Sequence, residues 1–246
     1  MPFNSYSITI LNKNITILAA RFIQMNIRTL LLLLFVAIGL ASCKGDGDIV
    51  PAFKTTALNV VNADNNVLNI YQNGTRIYNL SSINPGGVTG YIAVQYGTQQ
   101  YQLKKAGPDS PEYLLDNFPL MLDTLNSYSL FIAGETPDKL FLTTDVGLVS
   151  APKQAVIRFV NTLPSSVNLD VSIGALTYNN VAFKSPGAFK YINAGANAIN
   201  VYQTGSTTPL ITDTFTLLEG TTYTVFIIGT INGTGANKLT AKLSTN

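Results

Sequence analysis

The sequence predicts an all-β fold made of two tandem, immunoglobulin-like antiparallel β-sandwiches. Three observations lead to this prediction: an internal duplication, apolar residues that alternate with polar ones, and turn-forming residues that recur about every ten positions. After residue 43 no stretch has the 3.6-residue apolar period of an amphipathic helix.

The duplication consists of four segments that recur in the same order. The first copy contains LNVVNADNNVLNIYQNG at 58–74, YIAVQYGTQQYQL at 91–103, YSLFIAG at 128–134 and KLFLTT at 139–144. The second copy contains IRFVNTLPSSVNLDVSIG at 157–174, FKYINAGANAINV at 189–201, YTVFIIG at 223–229 and KLTAKL at 238–243. Because matching segments keep offsets of 95 to 99 residues, the chain is a tandem duplication.

Each copy has the length and the residue pattern of a β-sandwich, which contains about 100 residues. In LNIY, Leu68 and Ile70 alternate with Asn69 and Tyr71, which is typical of a strand with one buried face. The run 225–228 is apolar on both faces, as expected of a central strand. Turn signals such as Asn73-Gly74 separate the predicted strands.

The N-terminal segment predicts export and attachment to a membrane. Arg28 precedes an apolar run, Leu30–Leu40, of 11 residues, shorter than the run of about 20 that spans a bilayer. A basic start, a short apolar run and small residues are typical of a secretory signal peptide. The residues from Leu40 to Cys43, LASC, resemble the bacterial lipobox, which implies cleavage between Ser42 and Cys43 and lipidation of Cys43. The alternative is an ordinary secretory signal with a cysteine nearby.

These patterns predict the domain organisation. Residues 1–42 form the signal region, with translation starting at Met25, and residues 43–53 form the lipidated cysteine and a tether. The first sandwich repeat spans 54–147 and the second spans 154–246. The segment GLVSAPK at 147–153 is the predicted linker, and its short length and proline predict sandwiches placed end to end with limited freedom.

The mature chain is nearly neutral. Loss of the signal region removes three of the 15 basic residues and no acidic residue, which leaves 12 basic residues against 13 acidic ones. Nucleic-acid binding depends on clustered Lys and Arg, so no nucleic-acid partner is expected. The expected contact is with the membrane, through acyl chains on Cys43. The segment KGDGD at 44–48 is either a solvated spacer or a signal similar to those that export lipoproteins to the cell surface.

The repeats also resemble a known family. The second copy resembles the bacterial domain-of-unknown-function 4397 family at its most characteristic positions, Arg158, Asn161, Asp170, Gly174, Gly195, Gly220 and Tyr223. The first copy departs from the pattern, with Asn59 in place of the arginine and Asn69 in place of the aspartate. The resemblance implies secreted or surface-anchored tandem β-sandwiches and brings no established activity. Separately from the resemblance, the strand pattern favours pairing of Asp170 with Arg158 on an adjacent strand of its own repeat over a metal role for Asp170.

The residues available for chemistry argue against an enzyme. The sequence has no histidine, and its one cysteine is the predicted lipid carrier Cys43. Histidine acid–base catalysis, a cysteine nucleophile and the usual zinc ligands are therefore excluded. Ser150 and Lys153 have the S-x-x-K spacing of some serine enzymes, but they lie in the linker and flank a proline. We predict no catalytic residue, no cofactor and no metal site.

Tyrosines and one insertion are the candidate ligand contacts. The candidate ligand surface comprises Tyr71, Tyr91, Tyr96, Tyr101 and Tyr202, which lie beside Gln and Asn. Such a surface suits sugar rings, which stack on aromatic side chains and bond to amides. The alternative is that these tyrosines merely cover a sheet, since tyrosine favours strands. Residues 106–120 are an apparent insertion, and long loops often carry recognition residues.

The leading function hypothesis is that the chain is a lipid-anchored protein of the cell envelope and a non-enzymatic binding or adhesion module. Its expected partner is a glycan or a protein of the envelope or host. Its predicted location is the outer membrane, at the cell surface, with the periplasmic face as the other possibility. The alternative function is a structural component that contacts outer-membrane proteins on the periplasmic side. A hydrolase is disfavoured because the acidic residues are scattered.

Overall fold

The computed structural model describes residues 54–107, 112–146, 148–149, 151–165 and 167–246. The predicted signal region with its start at Met25, the predicted Ser42–Cys43 cleavage site and the predicted tether lie outside the described residues. Residues Phe53–Asn246 form one compact unit that contains both repeats. Within the described ranges, no helix is long and apolar enough to cross a membrane.

Repeat 1 folds into two four-stranded sheets. Its strands are β1 Thr55–Asn62, β2 Leu68–Gln72, β3 Thr75–Arg76, β4 Val88–Gln95, β5 Gly97–Lys105, β6 Tyr113–Leu122, β7 Ser127–Ile132 and β8 Leu140–Thr144. We call the sheet with order β4-β1-β7-β8 its inner sheet and the sheet with order β3-β2-β5-β6 its outer sheet. A 3₁₀ turn, Pro137–Lys139, precedes β8.

Repeat 2 has the same topology. Its strands are β9 Gln154–Phe159, β10 Leu169–Ile173, β11 Leu176–Val181, β12 Lys190–Asn193, β13 Gly195–Gln203, β14 Pro209–Leu217, β15 Thr222–Ile228 and β16 Thr240–Thr245. The inner sheet has order β12-β9-β15-β16 and the outer sheet has order β11-β10-β13-β14. A second 3₁₀ turn is Gly235–Asn237. The predicted all-β class with tandem sandwiches is confirmed.

The inner sheets differ in one respect from the predicted antiparallel arrangement. In each of them the first strand of the repeat pairs in parallel with the seventh, so β1 pairs with β7 and β9 pairs with β15. Parallel neighbours need a long connection, and the five strands between them supply it. The remaining ladders are antiparallel, including the β2–β3 hairpin, where Asn73 and Gly74 both have positive φ angles of 50° and 79°. This conformation is typical of a two-residue hairpin turn.

The alternation along the inner strands separates two cores. In β1, Leu58 and Val60 point into the core between the two sheets of repeat 1, whereas Val61 joins a different apolar cluster. In β15, Val225 lies in the core of repeat 2, whereas Phe226 joins the same second cluster as Val61. The inner strands therefore have two buried faces, and each repeat has its own core.

The second cluster joins the repeats through the inner sheets. It brings Val61 and Phe131 of repeat 1 together with Val160 and Phe226 of repeat 2, all with no exposed surface. The rings of Phe131 and Phe226 meet edge to face at a centroid distance of 6.3 Å. The prediction of sandwiches placed end to end is therefore wrong, because the apolar outward faces of the two inner sheets bury each other. Burial of apolar surface, at about 25 cal/mol per Å², favours this packing.

The expected pairing of Arg158 with Asp170 is also wrong. Arg158 forms its ion pair with Asp145, which follows β8 in repeat 1. Asp170 accepts hydrogen bonds from the backbone N–H of Asn180 at 2.6 Å and from the Thr204 hydroxyl at 3.0 Å. The pattern fails because β9 and β10 belong to different sheets, so Arg158 points toward repeat 1 while Asp170 lies on the outer sheet.

The apparent insertion at 106–120 is mostly a strand. Residues 113–120 belong to β6, which is the edge strand of the outer sheet and corresponds to β14 in repeat 2. Residues 108–111 lie outside the described residues. The expectation of a recognition loop across 106–120 is corrected, since β6 pairs with β5 from Gly97↔Leu122 to Lys104↔Tyr113.

Candidate functional site

A concave groove lies on the inner sheet of repeat 1, on the same face that contacts repeat 2 farther along β1. Its volume is about 380 Å³. The residues lining it come from β1, β4, the turn before β7 and the start of β7: Thr55, Thr56, Ala57, Tyr91, Ile92, Ala93, Thr124, Leu125, Asn126 and Ser127. We call this feature the Tyr91 groove.

Small side chains lie in register across the groove. Ala57 of β1 is the cross-strand partner of Ala93 on β4 and of Ser127 on β7. Three neighbouring strands thus present a methyl, a methyl and a hydroxymethyl group in one row. Small residues at these positions leave room for a flat ligand against the sheet.

The turn between β6 and β7 closes one side of the groove. The Asp123 carboxylate accepts hydrogen bonds from the backbone N–H groups of Leu125 at 2.8 Å and Asn126 at 3.0 Å. These bonds, led by the one from Leu125, lower the pKa of Asp123. The Thr56 hydroxyl donates to the Asn126 carbonyl at 2.9 Å and fastens the turn to β1. An Asx-type turn of this kind holds Thr124 and Asn126 in place.

Tyr91 supplies the aromatic surface of the groove. Its side chain is 38% exposed, and its hydroxyl donates to Asp145 Oδ2 at 2.7 Å. The Asn246 amide donates to the same hydroxyl at 3.3 Å. Burial of the hydroxyl and the neighbouring negative charge of Asp145 raise the pKa of Tyr91. The hydroxyl therefore stays protonated and fixes the orientation of the ring.

Asp145 is itself held by both repeats. From repeat 1 it accepts hydrogen bonds from the hydroxyls of Ser129 at 2.6 Å and Thr143 at 3.1 Å. From repeat 2 it pairs with the guanidinium of Arg158, which also donates to Thr224 Oγ1 at 3.0 Å. The side chains of Asp145 and Arg158 are 1% and 3% exposed. A buried ion pair with these additional hydrogen bonds has its polar atoms satisfied.

The chemistry of the Tyr91 groove is that of a neutral binding site. Its lining offers hydroxyls, an amide, backbone groups and one aromatic ring, and none of those residues is charged. Among the described residues, no group of three or more His, Cys, Asp or Glu side chains is placed to hold a metal ion. The arrangement can bind a polar, uncharged molecule that has a flat apolar face.

The five predicted tyrosines do not form one surface. Tyr91 lines the groove, and Tyr96 is 45% exposed in the tight turn between β4 and β5. Tyr71 lies on the outer sheet of repeat 1, where Lys104 Nζ lies 4.5 Å from its ring centroid. Tyr202 lies in β13, on the outer sheet of repeat 2.

Tyr101 is corrected from a surface residue to a core residue. Its side chain has no exposed surface, and its hydroxyl accepts a hydrogen bond from Gln72 Nε2 at 2.8 Å inside repeat 1. The β5 strand alternates between the two faces of the outer sheet, and Tyr101 falls on the inward face. A tyrosine can occupy either face of an alternating strand. The alternation of apolar and polar residues therefore did not distinguish the buried Tyr101 from Tyr71.

Sequence reasoning missed most of the groove. Ala57, Ala93 and Ser127 are small residues from three separate strands, and no motif joins them. The segment from Asp123 to Asn126 carries a turn signal in its Asp and Asn residues, but its position beside β1 and β4 depends on the fold. Of the five tyrosines predicted as ligand contacts, Tyr91 lines the groove.

Comparisons with known proteins identify a family. The family described as Domain of unknown function (DUF4397) matches residues 56–172 and 155–245. No curated protein matches the sequence.

Three solved structures illustrate the remaining similarity. Two are described as a "putative cell adhesion protein", one from Bacteroides uniformis and one from Bacteroides eggerthii. The first has 11% identity and a TM-score of 0.24 and covers 80% of this chain and 98% of its own. The second has 10% identity and a TM-score of 0.22 and covers 81% and 97%. A leucine-rich repeat protein from Bacteroides thetaiotaomicron has 12% identity and a TM-score of 0.18 and covers 72% and 26%.

The burial of Tyr101 predicts a pH-dependent stability. Burial raises the pKa of Tyr101 to about 12, whereas an unfolded tyrosine titrates near 10. Between about pH 10 and 12 the unfolded state therefore binds fewer protons than the folded state, and this residue lowers the unfolding free energy by up to about 1.4 kcal/mol per pH unit. Urea unfolding between pH 9 and 11 measures this effect. The unfolding free energy of the Tyr101→Phe variant should decline less steeply with pH than that of the unsubstituted chain.

Tyr96→Phe is the matched control for this measurement, because Tyr96 is an exposed tyrosine of the same repeat. The unfolding free energy of Tyr96→Phe should fall with pH as steeply as that of the unsubstituted chain. Equal declines for the unsubstituted chain and for Tyr101→Phe would contradict the placement of Tyr101 in the core.

Proposed function

This chain belongs to the DUF4397 family, and we propose that it is a non-enzymatic binding module of the cell envelope that takes a neutral glycan in the Tyr91 groove. The observation that carries the proposal is the groove itself: a fixed aromatic ring beside small side chains, hydroxyls and an amide, with no charged residue in the lining. At about 380 Å³ it falls within the range of about 300–1,000 Å³ that is common for small-ligand sites.

A sugar matches this lining in two ways. One face of a pyranose ring carries C–H groups that pack on an aromatic ring, and Tyr91 presents such a ring at the groove. The sugar hydroxyls can exchange hydrogen bonds with Thr55, Thr124, Asn126 and Ser127. Because the lining carries no charge, an acidic sugar or a charged peptide would lose hydration without gaining an ion pair.

Pre-organisation supports binding at this site. The Tyr91 hydroxyl is bonded to Asp145, and the turn that carries Asn126 is fastened to β1 by Thr56. A ligand therefore does not have to order these side chains when it binds. Less entropy is lost, which raises the affinity that a small contact area can reach.

The proposed location is the outer membrane, at the cell surface. The lipobox-like sequence before Cys43 supports this part of the proposal, because acyl chains on that cysteine would hold the chain at a membrane. Thr55 of the groove follows Cys43 by 12 residues, so a fully extended tether could reach about 40 Å. The binding site would thus operate near the membrane surface.

Binding can be tested with a soluble chain of residues 44–246 and a panel of neutral oligosaccharides based on glucose, xylose and mannose. Isothermal titration should detect binding of at least one of them. Ala93→Trp, which places a bulky ring in the groove, should abolish that binding. Tyr91→Ala should weaken it about fivefold, because one aromatic contact is worth about 1 kcal/mol.

The matched control is Tyr96→Ala, which removes an exposed tyrosine of the same repeat that does not line the groove. Its affinity should equal that of the unsubstituted chain. If no oligosaccharide binds, or if Ala93→Trp binds as well as the unsubstituted chain, glycan binding at this groove is excluded.

Proteinase accessibility on intact cells tests the location. The full-length chain should be cleaved on intact cells and should fractionate with membranes, whereas Cys43→Ala should lose its membrane attachment. Lysed cells control for intrinsic resistance to the proteinase. Protection until lysis would contradict a surface location and favour the alternative of a structural component on the periplasmic side.

A further inference from the structure

The contacts between the repeats come in matched pairs. The antiparallel ladders align Tyr128 with Thr144 in repeat 1 and Tyr223 with Thr245 in repeat 2. Asp145 and Asn246 are the next residues, and their backbone N–H groups donate to the carbonyls of Ser127 and Thr222, the first residues of β7 and β15. Asp145 in repeat 1 and Asn246 in repeat 2 therefore occupy equivalent positions.

Arg158 and Asn59 are equivalent in the same way, since each lies on the first strand of its repeat at an offset of 99. Arg158 donates to Thr224 of its own repeat at 3.0 Å and to Thr143 of the other repeat at 2.9 Å. Asn59 donates to Ser129 of its own repeat at 3.3 Å and to Ser244 of the other at 3.1 Å.

The acceptors in these bonds are themselves equivalent. In the seventh strands, Ser129 follows Tyr128 and Thr224 follows Tyr223, so Ser129 and Thr224 are equivalent. In the eighth strands, Thr143 precedes the partner of Tyr128 and Ser244 precedes the partner of Tyr223, so Thr143 and Ser244 are equivalent too. The two bonds that Arg158 makes to hydroxyl groups are thus matched by the two that Asn59 makes. The equivalent positions differ in charge: Arg158 and Asp145 form an ion pair, whereas the positions equivalent to them hold the neutral residues Asn59 and Asn246.

The apolar contacts follow the same rule. Phe131 and Phe226 are equivalent residues and touch each other across the interface. Val61 and Val160 are equivalent residues and lie in the same cluster. Contact between equivalent residues is the mark of an isologous, two-fold arrangement.

We infer that the interface is a two-fold pairing surface of the domain, and that the ion pair between Arg158 and Asp145 makes it selective for an unlike repeat. If repeat 2 met another repeat 2, each Arg158 would face Asn246 and stay buried without a counter-charge. If repeat 1 met another repeat 1, each Asp145 would face Asn59. An unpaired buried charge is strongly destabilising, so both like pairings are rejected. The partner that fits repeat 2 is a domain of this family with an acidic residue at the Asp145 position.

The test installs the missing ion pair in the full mature chain. Asn59→Arg alone buries a second arginine near Asp145, which already pairs with Arg158, and gives it no carboxylate of its own. It should lower the melting temperature by about 10 °C. Asn59→Arg with Asn246→Asp recreates the ion pair in the equivalent place, and its melting temperature should return to within about 3 °C of the unsubstituted chain. Asn246→Asp alone is the other single variant that the double-mutant cycle requires.

A reciprocal double-mutant cycle removes the existing ion pair instead of adding a second one. Arg158→Asn leaves the Asp145 carboxylate buried without a counter-charge and should lower the melting temperature strongly. Arg158→Asn with Asp145→Asn copies the neutral side onto the charged side and should recover much of that loss. The inference is overturned if the double substitution at 59 and 246 melts no higher than Asn59→Arg or does not fold, or if the reciprocal double variant melts no higher than Arg158→Asn.

Discussion

The buried ion pair between Arg158 and Asp145 is the interaction on which the arrangement of the two repeats depends. Each charge loses hydration when the inner sheets meet, and each is compensated by the other repeat together with hydroxyl donors and acceptors. Docking in a different register would leave both charges buried and unpaired, which costs several kcal/mol. Apolar contacts such as Phe131 with Phe226 favour association, and the ion pair determines which register is stable.

The same ion pair connects the interface to the candidate site. Asp145 accepts the hydroxyl hydrogen of Tyr91, so a residue held by repeat 2 fixes the aromatic ring of a groove in repeat 1. The groove lies on the inner-sheet face of repeat 1, where Ala57 and Ala93 replace the bulky residues found at the interface. One face of one sheet thus provides both the contact with repeat 2 and the groove, and the size of the side chains distinguishes the two parts.

The sequence predicted the duplication, the all-β class and several turns, because these depend on local patterns. It did not predict the packing of the repeats. An alternating strand shows that two faces differ, but in β15 both faces are apolar, and the sequence could not show that one faces a second domain. It also could not assign Tyr101 to the core, or pair Arg158 with a residue of the other repeat, since both depend on which sheet each strand joins.

Differential scanning calorimetry of residues 44–246 is the most direct test of whether the two repeats form one unit through their inner sheets. If the buried pair and the apolar cluster join the repeats as described, the chain should unfold in a single transition. Its calorimetric enthalpy should then equal its van't Hoff enthalpy. Two resolved transitions, or a van't Hoff enthalpy near half the calorimetric value, would contradict the account.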